Sequence, residues 1–143
     1  MEICVEARNP WANLNLNDAA DQFHFVVVSD RTGGHRARVF SMAVDQINLL
    51  QPTFVVSVGD LIEGYTKDVH KLAEEWREFQ TYVGKLTMPF FYVPGNHDLA
   101  NLVQVKEWRE RFGRPYYHFV YKDVLFLAVN SSDPAEEKGG GML

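Results

Sequence analysis

Three apolar runs along this chain end in the same way. Phe25-Val26-Val27-Val28-Ser29-Asp30 and Phe54-Val55-Val56-Ser57-Val58-Gly59-Asp60 both close on a carboxylate. Phe90-Phe91-Tyr92-Val93-Pro94-Gly95-Asn96-His97-Asp98 closes on a turn carrying an amide, an imidazole and a carboxylate. Short runs rich in Val and Phe, bounded by Gly, Pro or Asp, read as buried strands. The pattern predicts strands over 23–29, 54–58 and 90–93.

Between these runs the period changes from two to about 3.6. Val39, Phe40, Ala43, Val44, Ile47 and Leu50 predict an amphipathic helix over 36–50, and Pro52 blocks its continuation. Val69, Leu72, Trp76, Phe79, Val83 and Leu86 form one apolar stripe of a second helix. Leu102, Val105, Trp108 and Phe112 mark a third, over 101–112, stopped by Gly113 and Pro115. Two more strands follow, over 116–121 and 124–130. Lys122-Asp123 is too short for a crossover, so they pair as an antiparallel hairpin.

The order β-α-β-α-β-α-β-β predicts an α/β domain: a parallel sheet covered by helices and extended by the hairpin. Residues 1–22 read as an irregular polar lead-in that packs Trp11 on the domain, 23–131 as the domain, and 132–143 as a mobile tail without periodicity.

Composition narrows the class. At 46% hydrophobic and 13% aromatic residues, the chain carries enough apolar surface to build a core. A net charge of -5 gives no footprint for nucleic acid. Cys4 is the only cysteine, which forbids an intramolecular disulfide and fits a reducing, cytoplasmic setting. Neither a signal peptide nor a membrane-spanning apolar stretch is visible.

Chemistry concentrates at the strand ends. Ligands of open α/β sheets bind at the carboxyl ends of the strands. There Asp30, Asp60 and Asn96 offer oxygens. Two carboxylates brought together repel unless a proton or a cation intervenes. An oxygen-rich set suits Mg, Mn or Fe better than a thiolate-selected ion. A pair of such ions can clamp a phosphoryl group and generate a hydroxide. Asp60 is well placed to bridge them, and His97 to bind the phosphoryl oxygen or protonate the leaving group, with Asp98 holding its ring. Structural alternatives stand beside these roles. Asp30 could cap the following helix. Glu63 reads as a solvated loop residue, and His24, His70 and His118 as structural or surface residues. Arg31 and Arg36 are placed either to hold a phosphate or to face solvent.

Asp30, Gly59-Asp60 and Gly95-Asn96-His97-Asp98 resemble the first three motif blocks of the calcineurin-like metallophosphoesterases, over about residues 23–130. The resemblance implies a β-sandwich flanked by helices and a dinuclear centre of two divalent ions (Mn, Fe, Mg or Zn) that hydrolyses small phosphate mono- or diesters. It implies a metal role for Asp30, a bridging role for Asp60, a ligand role for Asn96 and a catalytic role for His97.

The chain departs from that family twice. The usual Asp-x-His block is Asp30-Arg31-Thr32 here, so Thr32 is a poor stand-in and His35 a candidate replacement. The later Gly-His-x-His block and the second sheet of the sandwich are missing. The chain therefore reads as the N-terminal half of such a domain, with an uncovered sheet prone to self-association. Two alternatives remain: a non-catalytic fragment of the domain, and a haloacid-dehalogenase-like phosphatase with Asp30 as covalent nucleophile. The second is disfavoured because Thr32 stands where that family has a second Asp.

Overall fold

The computed structural model describes residues 8–17 and 22–132. Residues 1–7, 18–21 and 133–143 lie outside this description, and with them most of the expected tail and part of the lead-in.

Eight elements follow the expected order: β1 (Phe25–Val28), α1 (Val39–Leu50), β2 (Phe54–Ser57), α2 (Val69–Val83), β3 (Phe90–Phe91), α3 (Leu102–Phe112), β4 (Tyr117–Tyr121) and β5 (Val124–Ala128). Strands β1, β2 and β3 lie side by side in that order, both pairs parallel. Parallel pairing suits the sequence because β2, the central strand, is apolar on both faces: Phe54 and Val55 are both fully buried.

Alternation along the strands divides two cores. Val55, Phe90 and Tyr92 face the helices, where they meet Val44 and Ile47 of α1, Leu72, Trp76, Phe79 and Val83 of α2, and Trp108 and Phe112 of α3. Phe54 and Phe91 face the other way, onto Phe119 and Tyr121 of β4, with Phe126 of β5 packed beside them. The rings of Phe91 and Phe119 stack at 4.4 Å.

The hairpin β4–β5 is thus a separate antiparallel sheet laid over the parallel one, not an extension of it. The expectation of a missing second sheet is corrected in the same way: a two-stranded second layer is present. Its cause is the period-two placement of Phe119, Tyr121 and Phe126, which can be buried only against another apolar face. The outward side of the hairpin stays open, with Leu125 55% and Leu127 67% exposed.

The lead-in does more than pack Trp11. The Ala12 amide donates to the Phe90 carbonyl at 2.9 Å and the Tyr92 amide to the Pro10 carbonyl at 2.7 Å, so the segment pairs antiparallel with the free edge of β3. Trp11 itself sits 6.2 Å from the Phe91 ring and 6.3 Å from that of Tyr117.

Helix ends follow local chemistry. Asp68 caps α2 by accepting from the His70 and Lys71 amides, and Asn101 caps α3 through the Val103 and Gln104 amides. Helix α1 starts at Val39, later than expected, after Arg38 in a left-handed conformation with no side-chain cap. Asp30 lies well upstream and caps nothing there.

Candidate active site

The carboxyl ends of β1, β2 and β3 open onto one groove of about 540 Å³. Asp30, Asp60 and Asn96 all line it, with Ser29, Ser57, Gly95 and, from the hairpin side, Leu127 and Val129. The structure therefore brings the three expected oxygen donors to one edge.

Each donor is set by its own loop. Asp30 and Asp60 both adopt positive φ (51° and 57°), a region that ordinary side chains seldom occupy and that clusters at functional sites. The first two loops are stitched together by backbone. The Asp30 amide donates to the Gly59 carbonyl and the Thr32 amide to the Asp60 carbonyl, each at 3.2 Å. Gly59 and Gly95 are pressed so closely that a Cβ on Gly59 would stand 2.5 Å from the Gly95 nitrogen. Glycine is required there because two backbones meet.

The second and third loops exchange carboxylates for amides. Asp60 Oδ1 accepts the His97 amide at 3.1 Å. In return Asp98 Oδ1 accepts the Leu61 and Ile62 amides, at 3.0 and 3.1 Å, while its Oδ2 accepts the Gly95 amide at 2.8 Å. Asp98 is fully buried. Burial pushes its carboxyl up to about 7. The three amide bonds pull the other way, and the charge of Asp60 adds to the rise.

This corrects the expected role of Asp98. Its oxygens are taken by backbone amides, and it does not hold the His97 ring. The Glu63 carbonyl does so, 2.8 Å from Nδ1. A carbonyl only accepts, so Nδ1 carries the proton and Nε2 is the ring's free nitrogen. Nε2 lies beside Gly33, where an added Cβ would come within 3.2 Å.

Below the ring, the His97 carbonyl accepts from Gln104 Nε2 at 2.6 Å, and Gln104 Oε1 accepts from Asn101 at 2.8 Å. A buried polar chain thus anchors the turn to the start of α3.

Other expected residues take different places. The Thr32 hydroxyl turns to the backbone, 2.7 Å from the Ile62 carbonyl, and lines no part of the groove. His35 and Arg36 line a neighbouring cavity of about 460 Å³ that shares Ser29 and Asp30 with the groove. Arg31 is buried away from both possible roles. It pairs with Glu78 of α2 at 2.7 Å, donates to the Leu61 carbonyl at 3.1 Å and lies 5.4 Å from the Tyr82 ring centre. Glu63 is exposed and enters through its carbonyl alone. His24 faces the Leu50 carbonyl, and His70 and His118 are exposed.

Tyr65 is the residue that sequence reasoning missed. Its hydroxyl accepts from Asn96 Nδ2 at 2.8 Å and its ring stands edge-on to His97 at 4.8 Å. An aromatic after a glycine in a loop carries no signal of such contacts.

The donor set fits a hard divalent cation: two carboxylates and an amide carbonyl, all oxygen, on one groove. Among the described residues, no three His, Cys, Asp or Glu side chains gather as a metal cage. Nor is any helix among them long and apolar enough to cross a membrane.

Oxygen donors from three successive strand ends thus share one groove. The chain belongs to the calcineurin-like phosphoesterases, whose family model matches residues 23–140. It is similar to the serine/threonine-protein phosphatase CPPED1 of Mus musculus, at 33% identity over 85% of this chain and 38% of that protein. It is also similar to the human protein of that name, at 34% identity over 66% of the chain and 32% of the relative. The chain thus spans under two-fifths of the length of these relatives. No solved structure matches it.

Proposed function

We propose that this chain forms the carboxylate-bearing edge of a metal-dependent phosphoester hydrolase acting through a dinuclear centre. The observation that carries the reading is the convergence of Asp30, Asp60 and Asn96 on one groove, with the next residue of the same turn, His97, bound at Nδ1. Asp30, Asp60 and Asn96 are the residues that would hold such ions, with Asp60 as the ligand the two would share, Asp30 on the first and Asn96 on the second. Bound divalent ions would supply charge neutralisation for the phosphoryl group and a water of lowered pKa.

The chain's own residues do the rest. Asp60 keeps one oxygen on the His97 amide, while its Oδ2 makes no hydrogen bond among the described residues. The Glu63 carbonyl holds Nδ1–H, so Nε2 is the end of the ring left to exchange a proton with a reacting oxygen. The names of the relatives point to phosphoserine and phosphothreonine side chains as the substrate class.

Thr32 favours a second reading. Its hydroxyl is spent on backbone, so the position that would carry the first block's imidazole offers the first ion no ligand. A non-catalytic fragment with a single weak metal site accounts for that.

Phosphate release from a phosphothreonine peptide with manganese separates the two readings. The first expects turnover that Asp60→Asn removes together with bound manganese. His97→Ala should retain the metal and lose about 10²–10⁴-fold in rate. Manganese binding without any turnover would leave the second reading standing. Unchanged metal content in Asp60→Asn would refute the bridging role.

A further inference from the structure

We propose that Tyr65 is a positioning residue of the metal edge, its hydroxyl fixing the plane of the Asn96 amide and its ring fixing the His97 imidazole. The proposal rests on the reading of Asp30, Asp60 and Asn96 as metal donors.

Three observations single out Tyr65. It is 64% exposed, so burial does not explain where its ring sits. Its backbone is left-handed, φ 49°, directly after Gly64 at 61°. A bulky residue held at positive φ stores strain that the surroundings must over-determine. Here they do. Gly64 is wedged against His97 and Gln104, so closely that a Cβ on it would lie 2.6 Å from Gln104 Nε2. The Gly64 amide is also tied to Glu75 Oε2 of α2 at 2.9 Å. Two left-handed residues in succession fold the second loop back over the third. The strain thus goes into bringing one side chain against both Asn96 and His97.

The contacts have a chemical consequence. A primary amide presents an acceptor at one end and two donors at the other, and a cation takes only the oxygen. Asn96 is exposed, and its amide bonds across to the second loop. With Nδ2 donating to the Tyr65 oxygen, Oδ1 is the free end. A phenol can also donate, so the flipped amide would keep a bond to Tyr65. The hydroxyl therefore fixes the amide plane, and a bound cation selects the carbonyl-outward flip without losing that bond.

The ring acts on the neighbouring residue. At 4.8 Å and 84° to the imidazole, it blocks one side of the His97 ring, while the Glu63 carbonyl fixes the nitrogen behind it. Asn96, which lines the groove, and His97 next to it in the turn are thereby braced from one point.

Manganese titration calorimetry on the chain, with Tyr65→Phe and Tyr65→Ala, tests this. Outer partners of metal ligands are worth about 10–100-fold in affinity, so Tyr65→Phe should bind manganese about tenfold more weakly. Its metal-free urea midpoint should stay at the wild-type value, which a purely structural role would move. Tyr65→Ala should lose the same affinity and also shift the His97 ring proton resonances, which Tyr65→Phe leaves in place. Equal manganese affinity in wild type and Tyr65→Phe would overturn the amide role. Unmoved His97 resonances in Tyr65→Ala would overturn the ring role. A wild-type chain that takes up no manganese overturns the metal-donor reading, and the amide role with it, without reference to any Tyr65 variant.

Discussion

Asp98, in the turn after β3, accepts the backbone amide of Leu61, in the loop after β2, at 3.0 Å. The bond joins two loops 37 residues apart in sequence, and the same oxygen also accepts the Ile62 amide. With Leu61 and Ile62 both buried, the second loop is pinned by side chains below and by this carboxylate at its backbone. The groove edge that carries Asp60 is thus anchored by a loop built into the core.

Removing that carboxylate should therefore cost stability as well as activity. Asp98→Ala leaves three amides unpartnered in a buried setting, each worth about 1–3 kcal/mol. Asp98→Asn keeps the shape but points an N–H₂ at one of the donor groups. Urea unfolding of the metal-free chain should show both variants destabilised, alanine more than asparagine. An Asp98→Asn variant as stable as wild type would show that the amides find other partners.

The same residue gives a pH dependence of defined sign. Its folded-state value is raised from 3.8 to about 7, so the folded chain binds the proton more tightly than the unfolded chain. The contribution is fully present below pH 4 and is lost as pH rises through 7. Metal-free wild type should lose stability relative to Asp98→Asn across that window. A difference that stays flat or reverses would show that the amide bonds outweigh burial.

Gly64 is a second point of rigidity. A methyl group there meets the His97 carbonyl and the Gln104 amide, at a backbone angle that disfavours side chains. Gly64→Ala should cost about 2–4 kcal/mol from overpacking and strain together. The His97 amide should also exchange faster with solvent, since its turn would be pushed off Asp60. Thermal melts and amide exchange read the two effects separately.

The open side of the hairpin carries the remaining expectation. Leu125 lies on the face turned away from the parallel sheet and is more than half exposed. Exposed apolar strands pair with one another. Sedimentation velocity should show association that rises with chain concentration and is suppressed in Leu125→Lys. A wild-type chain that stays monomeric at high concentration would end the argument.

Much of this protein was legible before any coordinates, because local physics sets it. Period-two and period-3.6 apolar patterns place the eight elements to within a few residues, since each must bury one face. The strand-end motifs name Asp30, Asp60 and Asn96, since a parallel sheet aligns the ends of its strands. Tertiary structure decided what those patterns leave open. A hairpin pattern says that one face is buried but not against what, and the rings of Phe54 and Phe91 made it a second layer. A carboxylate beside a histidine in sequence can serve the ring or the backbone. Amides of Leu61 and Ile62, brought near by the pairing of β2 with β3, claimed Asp98. Arg31 was drawn to Glu78 on α2, and Tyr65 was turned onto Asn96 by two left-handed residues. Partners of this kind lie tens of residues away along the chain, and only the packed fold brings them within reach.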